Sequence, residues 1–249
     1  MESHVIKQTF RLGNSAGVIL PIEWKGKKVE VKLIEKSISR EVLEILDEEK
    51  LLTNTMGIFL SGSYARGEEN STSDIDILVI TDSIDKQIKR GKYEILLVSK
   101  NKLDVSISNN LYFISLIREA KVILNAYLLN FYKKNSKGFS IKKSLDDIKS
   151  ALKINEKAIS IDDKLGDKGS DEVIYSIILR LREIYLIECL KKDKVYSNKD
   201  FLGVISKVSI EEAYNSYIRV KNDLKSKKVL SVEETRNLIG EIKRRLKNL

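Results

Sequence analysis

The chain has 249 residues, enough for one large domain or two to three small ones, and 42% of them are hydrophobic, enough for a packed core. Charged residues make up 33% with a net charge of +9, and the single Cys excludes an intrachain disulfide, so a reducing compartment is expected. The opening MESHVIKQTF has no apolar h-region, and runs such as Ile75–Ile80 are too short to span a bilayer, so the expectation is a cytoplasmic protein with no signal peptide and no membrane partner.

In chain order, Val5–Glu35 reads as short strands around a Gly-rich turn: KQTFRL, then GNSAG, then the near-alternating KKVEVKLIE. Arg40–Leu52 has helical spacing, with Val42, Ile45, Leu46 and Leu52 apolar. Strands are predicted at Ile58–Leu60, 74–80, 93–99 and 103–108, with short helices near 64–67 and 84–90 and a turn at Asn101-Lys102. A helix at about 110–119 precedes the short run Val122–Leu124. From about 141 onward the pattern is helical, with candidates at 141–160, 171–192, 198–207, 210–226 and 232–247. Two of these carry capping-box sequences, Ser209–Glu212 and Ser231–Glu234.

The fold class read from this pattern is α+β. A small N-terminal β segment (1–36) precedes a mixed-sheet domain with helices (37–135), and a helical bundle (136–249) follows. The basic excess lies in the flanks: 7 Lys/Arg against 4 Asp/Glu in 1–36, 13 against 14 in 37–135, and 25 against 18 in 136–249. A basic flank can attract DNA or RNA. The same excess also suits the Lys- and Glu-rich composition of heat-adapted proteins.

The stretch GIFLSGSYARGEENSTSDIDILVI (57–80) carries the chemistry. In a strand, residues i and i+2 point the same way, so Asp74 and Asp76 share a face while Ile75, Ile77 and Val79 line the other. Side-by-side carboxylates raise each other's pKa unless a cation sits between them. Hard oxygen ligands without His or Cys suit Mg²⁺. In LDVSIS, read as a strand, Asp104 faces away from Leu103, Val105 and Ile107. It is the candidate for a third metal ligand and for a base that accepts the proton of an attacking hydroxyl. Gly62-Ser63 ends a strand and opens a helix, an arrangement that suits the phosphates of an NTP, and Arg66 one turn later can add charge or pack on the surface.

Together, Gly62-Ser63-Tyr64-Ala65-Arg66-Gly67, Ser73-Asp74-Ile75-Asp76 and Asp104 resemble the DNA polymerase β-like nucleotidyltransferase superfamily, in particular its minimal archaeal and bacterial members. The resemblance covers roughly 55–125. It implies an enzyme that moves an NMP from an NTP, ATP foremost, onto an acceptor hydroxyl of a protein (a toxin-like partner among them), an RNA or a small molecule such as an aminoglycoside. It implies two Mg²⁺ ions, or Mn²⁺, on Asp74, Asp76 and Asp104, with Gly62 and Ser63 binding the triphosphate.

Residues 7–35 resemble the AbrB-like swapped-hairpin DNA-binding domain through Leu12–Ser15, the run ending in Leu20-Pro21 and an alternating strand with Val29, Val31 and Leu33. That resemblance implies a homodimer, with Lys7, Arg11 and Asn14 as candidate DNA contacts. About 35 residues cannot bury a self-sufficient core, so a hairpin that only dimerises the enzyme or packs on its own catalytic domain is the alternative. Three readings of the whole follow: an active enzyme, a DNA-binding regulator whose second domain senses nucleotide or modifies a partner, and a scaffold with a dead site. The C-terminal helices invite comparison with HEPN ribonucleases, but the bundle lacks their Arg-x4-6-His pattern. The only His is His4, read as incidental. Cys189 is read as core and Trp24 as packing.

Overall fold

The computed structural model describes residues 5–32, 37–71 and 73–249. The chain divides into two compact units, Met1–Glu41 and Val42–Leu249. His4 and Leu33 lie outside the described residues.

In the first unit, β1 (Phe10–Leu12) and β2 (Ser15–Gly17) pair antiparallel across Gly13-Asn14. Gly13 takes the left-handed conformation (φ 59°) that a tight hairpin turn requires. Of the expected third strand, the described part, Lys27–Lys32, has no regular structure, and Val31 is 72% exposed. Val29 is also exposed (44%), and alternation without burial of one face does not hold a strand.

The second unit contains a five-stranded sheet. Its strands are β3 (Thr55–Ser61), β4 (Ile75–Thr81), β5 (Lys86–Arg90), β6 (Tyr93–Ser99) and β7 (Lys121–Leu124), in the order β5-β6-β4-β3-β7. Only the β4–β6 pair is parallel. Ile75, Ile77, Leu78, Val79 and Ile80 of central β4 are buried. A continuous apolar run is what a strand covered on both faces needs.

Two expectations fail here. Residues 86–90 are an edge strand and not a helix. Only Ile88 of the five is buried, Gly91 (φ 56°) closes the hairpin to β6, and the exposed Lys86, Lys89 and Arg90 keep the edge charged. Residues 103–106 belong to helix α3 (Lys100–Ser106) and not to a strand, and Asn101-Lys102 lies inside that helix. Leu103 and Ile107 are buried while Val105 is 74% exposed, so the apolar signal is i, i+4 and its period-2 reading is coincidental.

The remaining helices before the bundle are α1 (Ile38–Glu48), α2 (Gly62–Arg66), α4 (Leu111–Glu119) and α5 (Ala126–Asn135), the last not foreseen. The bundle comprises α6 (Lys142–Leu165), α7 (Asp171–Lys191), α8 (Asn198–Ile205), α9 (Glu211–Lys221) and α10 (Val232–Leu246), close to the predicted spans. A two-stranded pairing of Gly169–Ser170 with Lys228–Leu230 interrupts it. The Ser231–Glu234 capping box forms. The Ser209–Glu212 box does not: Ile210 is the N-cap, and Glu212 is drawn to Arg219 at 2.6 Å. One core runs from Phe59 through Ile114 and Ile177 to Ile242, so the sheet and the bundle share it. Cys189 is buried, as expected. Among the described residues no helix is long and apolar enough to cross a membrane.

Candidate active site

Strand β3 ends at Ser61, and the chain turns at once into α2. Gly62 makes that turn with φ 67°. A Cβ there would lie 1.9 Å from Asp76 Oδ2, so glycine is required both by conformation and by the approach of the carboxylate. Ser61 is the register partner of Asp76 across β3–β4, and its hydroxyl donates to the Asp76 carbonyl (3.2 Å). Gly67 (φ 72°) ends α2 in the left-handed conformation.

Asp74 and Asp76 open on a cavity of about 980 Å³ within the second unit, which Gly62, Ser63 and Arg66 also line. This volume lies at the upper end of the range for small-molecule sites. Asp74 lies just ahead of β4 and is exposed, whereas Asp76, within the strand, is half-buried. Burial, and then the neighbouring Glu94, Glu119 and Asp74 carboxylates, push the Asp76 carboxyl up to about 6, against a smaller opposing pull from Arg66.

Asp104 is elsewhere. It sits in α3, outside the residues that line the cavity. Its carboxylate accepts from Lys100 Nζ (2.6 Å) and from the Tyr132 hydroxyl (2.7 Å). Partial burial opposes ionisation there, but those hydrogen bonds outweigh it and hold the Asp104 carboxyl below its usual range. The carboxylate brought beside Asp76 is Glu94 of β6, its register partner in the parallel β4–β6 pair. Residues paired in register point to the same face of a sheet. Glu94 lines the cavity and meets the exposed Lys89 at 2.6 Å. A surface pair of this kind contributes about 1 kcal/mol or less and is readily exchanged. The sequence did hold a signal, a lone acid on an otherwise apolar strand that begins after Gly91-Lys92.

Glu119, at the end of α4, was also missed. Its Oε1 accepts from the Gly62 amide (2.8 Å), and its Oε2 pairs with Arg66 Nη1 (2.6 Å). Arg66 pairs further with Glu68 (2.9 Å) and lies 5.5 Å from the Tyr196 ring centroid. The guanidinium expected to meet a nucleotide is therefore engaged by two carboxylates. Glu68 in turn accepts from the Ser197 hydroxyl (2.8 Å) and the Asn198 amide (3.1 Å), which ties the loop after α2 to the start of α8.

Among the described residues, no group of three or more Asp, Glu, His or Cys side chains is drawn together as a cage for an ion. Mg²⁺ does not need one, since it is commonly held by one or two carboxylates together with waters and substrate phosphates. Burial first, and then three neighbouring carboxylates, raise the Asp76 carboxyl against a pull from Arg66, and the donors are all hard oxygens. Asp74 and Asp76 therefore fit the ion.

Lys7, Arg11 and Asn14 are exposed in the first unit, with Arg11 Nε donating to the Gly13 carbonyl (3.2 Å). Trp24 is partly buried in a short 3-10 turn.

Residues 39–130 match the nucleotidyltransferase domain family. No curated protein matches the chain. Among solved structures, it is similar to a nucleotidyltransferase-like protein from Exiguobacterium sibiricum (13% identity, TM-score 0.38), over 85% of this chain and 75% of that one. It is also similar to the spectinomycin adenyltransferase AAD(9) from Enterococcus faecialis with ATP and spectinomycin (15% identity, TM-score 0.43), over 84% of this chain and 98% of that one.

Proposed function

We propose that the chain, whose residues 39–130 match the nucleotidyltransferase domain family, transfers an NMP from an NTP, ATP foremost, to an acceptor hydroxyl with release of pyrophosphate. The observation that carries the reading is the convergence of Gly62, Asp74, Asp76 and Glu94 on one cavity. Asp74 and Asp76 hold the divalent ion, Mg²⁺ or Mn²⁺, which when bound neutralises charge on the donor phosphates. Gly62 and Ser63 let the donor phosphates approach the backbone closely. Glu94, beside Asp76, takes the proton of the acceptor hydroxyl as its oxygen forms a bond to the α-phosphorus. The bond from that phosphorus to the pyrophosphate oxygen breaks in line with it. Catalysis comes mainly from positioning and charge neutralisation.

The test is transfer from each α-labelled NTP in Mg²⁺ with cognate cell extract as acceptor source. Wild type labels a discrete acceptor, and the Asp74→Ala/Asp76→Ala double variant labels none while keeping its melting temperature. Equal labelling by both proteins would sink the reading.

For the first unit we propose pairing with a second copy. Ile6, Leu12, Ile19, Ile22 and Val31 are each more than 60% exposed, so the unit leaves its apolar side chains uncovered. The DNA-contact reading of Lys7, Arg11 and Asn14 rests on that pairing. Sedimentation of the full chain at micromolar concentration tests it, and a monomer there removes both.

A further inference from the structure

The cavity is enclosed from two sides. The sheet side, with α2 and α4, supplies Gly62, Asp74, Asp76, Glu94 and Glu119, and α7 and α9 of the bundle supply Arg182 and Tyr217 among others. Glu119 has no part in the transfer chemistry above, yet its side chain is only 5% exposed and it stands at the edge of that chemistry.

The fold delivers Glu119 to the turn after β3. Strands β3 and β7 pair antiparallel with Leu60 opposite Lys121, and continuing that register by two residues sets Glu119, at the end of α4, opposite Gly62. There its two carboxylate oxygens reach both ends of α2: Oε1 accepts from the Gly62 amide (2.8 Å), and Oε2 pairs with Arg66 (2.6 Å). Ser61, the residue before α2, makes no cap with its own side chain, because its hydroxyl is given to the Asp76 carbonyl. Glu119 thus supplies from another helix the acceptor that an N-cap side chain supplies locally. Arg66 is held in turn by Glu68 (2.9 Å) and lies near the Tyr196 ring, so the carboxylate is fixed by a guanidinium that is itself fixed.

What Glu119 holds in place is the backbone that bounds Asp76. A Cβ on Gly62 would come within 1.9 Å of Asp76 Oδ2 and 2.7 Å of its Cγ, so the turn already packs on that carboxylate. A turn that drifted would free the Asp76 side chain to rotate. Resting on the transfer reading above, we propose that Glu119 is a positioning residue: by holding the Gly62 amide, it fixes the Asp76 carboxylate where the divalent ion binds. Both of its oxygens are engaged, so it acts through Gly62 and not as a ligand. Groups that orient a metal ligand in this way are commonly worth about 10–100-fold in affinity or activity. Glu119 also adds to the negative charge around Asp76, and the test separates contact from charge.

The experiment measures Mn²⁺ binding to the full chain by the EPR signal of the free ion, with saturating α,β-methylene-ATP, and follows transfer from α-labelled ATP alongside. Glu119→Gln and Glu119→Ala both remove the charge, but only Glu119→Gln keeps an oxygen for the Gly62 amide, with Arg66 falling back on Glu68. Glu119→Gln should raise the Mn²⁺ Kd by no more than about threefold and Glu119→Ala by at least about tenfold, with transfer falling in parallel. Glu119→Asp keeps the charge but is one methylene too short to span both donors. It should weaken Mn²⁺ binding about fivefold or more, and it decides the matter if Glu119→Ala does not fold. Equal losses in Glu119→Gln and Glu119→Ala, with none in Glu119→Asp, would assign the effect to charge and overturn the proposal. A lower melting temperature in Glu119→Ala with wild-type Mn²⁺ affinity would make Glu119 a residue of the fold alone, and would overturn it too. Wild type that shows the expected Mn²⁺ pattern but labels nothing would remove the transfer reading and leave the placement of Asp76 standing. Wild type that binds no Mn²⁺ would remove both.

Discussion

The carboxylate side of the cavity is assembled on strands, and the opposite wall on helices. Asp76 and Glu94 stand side by side because β4 and β6 run parallel in register, and Gly62 approaches Asp76 because β3 pairs with β4. Arg182 and Tyr217 meet because α7 packs against α9, through residues 35 positions apart in the chain. On the first side, backbone pairing fixes the geometry and a local motif announces it. On the second, side-chain packing fixes it, and no short pattern does. This contrast sets where substitutions should act on chemistry and where they should act on stability.

The largest effect is expected from exchanging the two candidates for the third carboxylate. Glu94→Gln should lower transfer by about 10²–10⁴, the range for loss of a positioned base, with the fold intact. Asp104→Asn should leave transfer within about twofold and cost about 1 kcal/mol of stability, because it weakens one i, i+4 ion pair and the bond from Tyr132. Rates and urea melts on the two purified variants check this. If Asp104→Asn abolished transfer and Glu94→Gln did not, the strand-built side would have to be redrawn around α3.

That pair of residues also shows what the sequence could and could not disclose. The placement of Gly62, Ser63, Asp74 and Asp76 on one cavity was legible because it depends on immediate neighbours: a turn at a strand end, and two acids separated by one apolar residue. Asp104 misled because Leu103, Val105 and Ile107 satisfy period 2 and period 3.6 almost equally over so short a run. Only burial of Leu103 and Ile107 without Val105 decides between them. Glu94 was hidden by its ordinary appearance, since its importance comes from a parallel register with β4 that no local pattern specifies. The bundle was legible as helices, through long apolar periodicity and the Ser231 cap. Its cavity face was not, since it depends on which sides of α7 and α9 meet the sheet domain.

A smaller effect, confined to stability, should come from the ion pair that holds the bundle wall together. Asp171, at the start of α7, is fully buried and accepts two parallel bonds from Arg219 of α9, at 2.7 and 2.8 Å, with a third from the Lys227 amide at 2.9 Å. Burial opposes ionisation of Asp171, but the bonds from Arg219 and the amide more than offset it, and its carboxyl lies below the usual range. Arg219→Ala leaves that carboxylate buried and unpaired, a loss of about 3–5 kcal/mol. Because the folded-state value is depressed, the contribution of Asp171 is present above its unfolded value of about 4 and is lost as pH falls through the lower folded value. Wild type should therefore lose stability steeply below about pH 4, and Asp171→Asn should lose less over the same interval. Parallel acid melts of the two proteins measure the difference. Identical slopes would mean that Asp171 is already neutral in the folded chain.

The smallest expected effect separates two serines that look alike in sequence. Ser231 accepts from the Glu234 amide (3.2 Å), while the Glu234 carboxylate reaches back to the Ser231 amide, also at 3.2 Å. Ser231→Ala should cost about 1 kcal/mol, the usual value of a cap. The Ser209 hydroxyl is buried with no partner, and the Glu212 that its pattern would recruit is held by Arg219 instead. Removing a buried hydroxyl that bonds to nothing relieves its desolvation cost, so Ser209→Ala should be neutral or slightly stabilising. Both values come from urea melts of the single variants. A cost at Ser209 equal to that at Ser231 would show that the first box forms in solution. Glu212 would then be shared between the cap of α9 and Arg219, and the ion pair that holds the wall would be correspondingly weaker than its distances suggest.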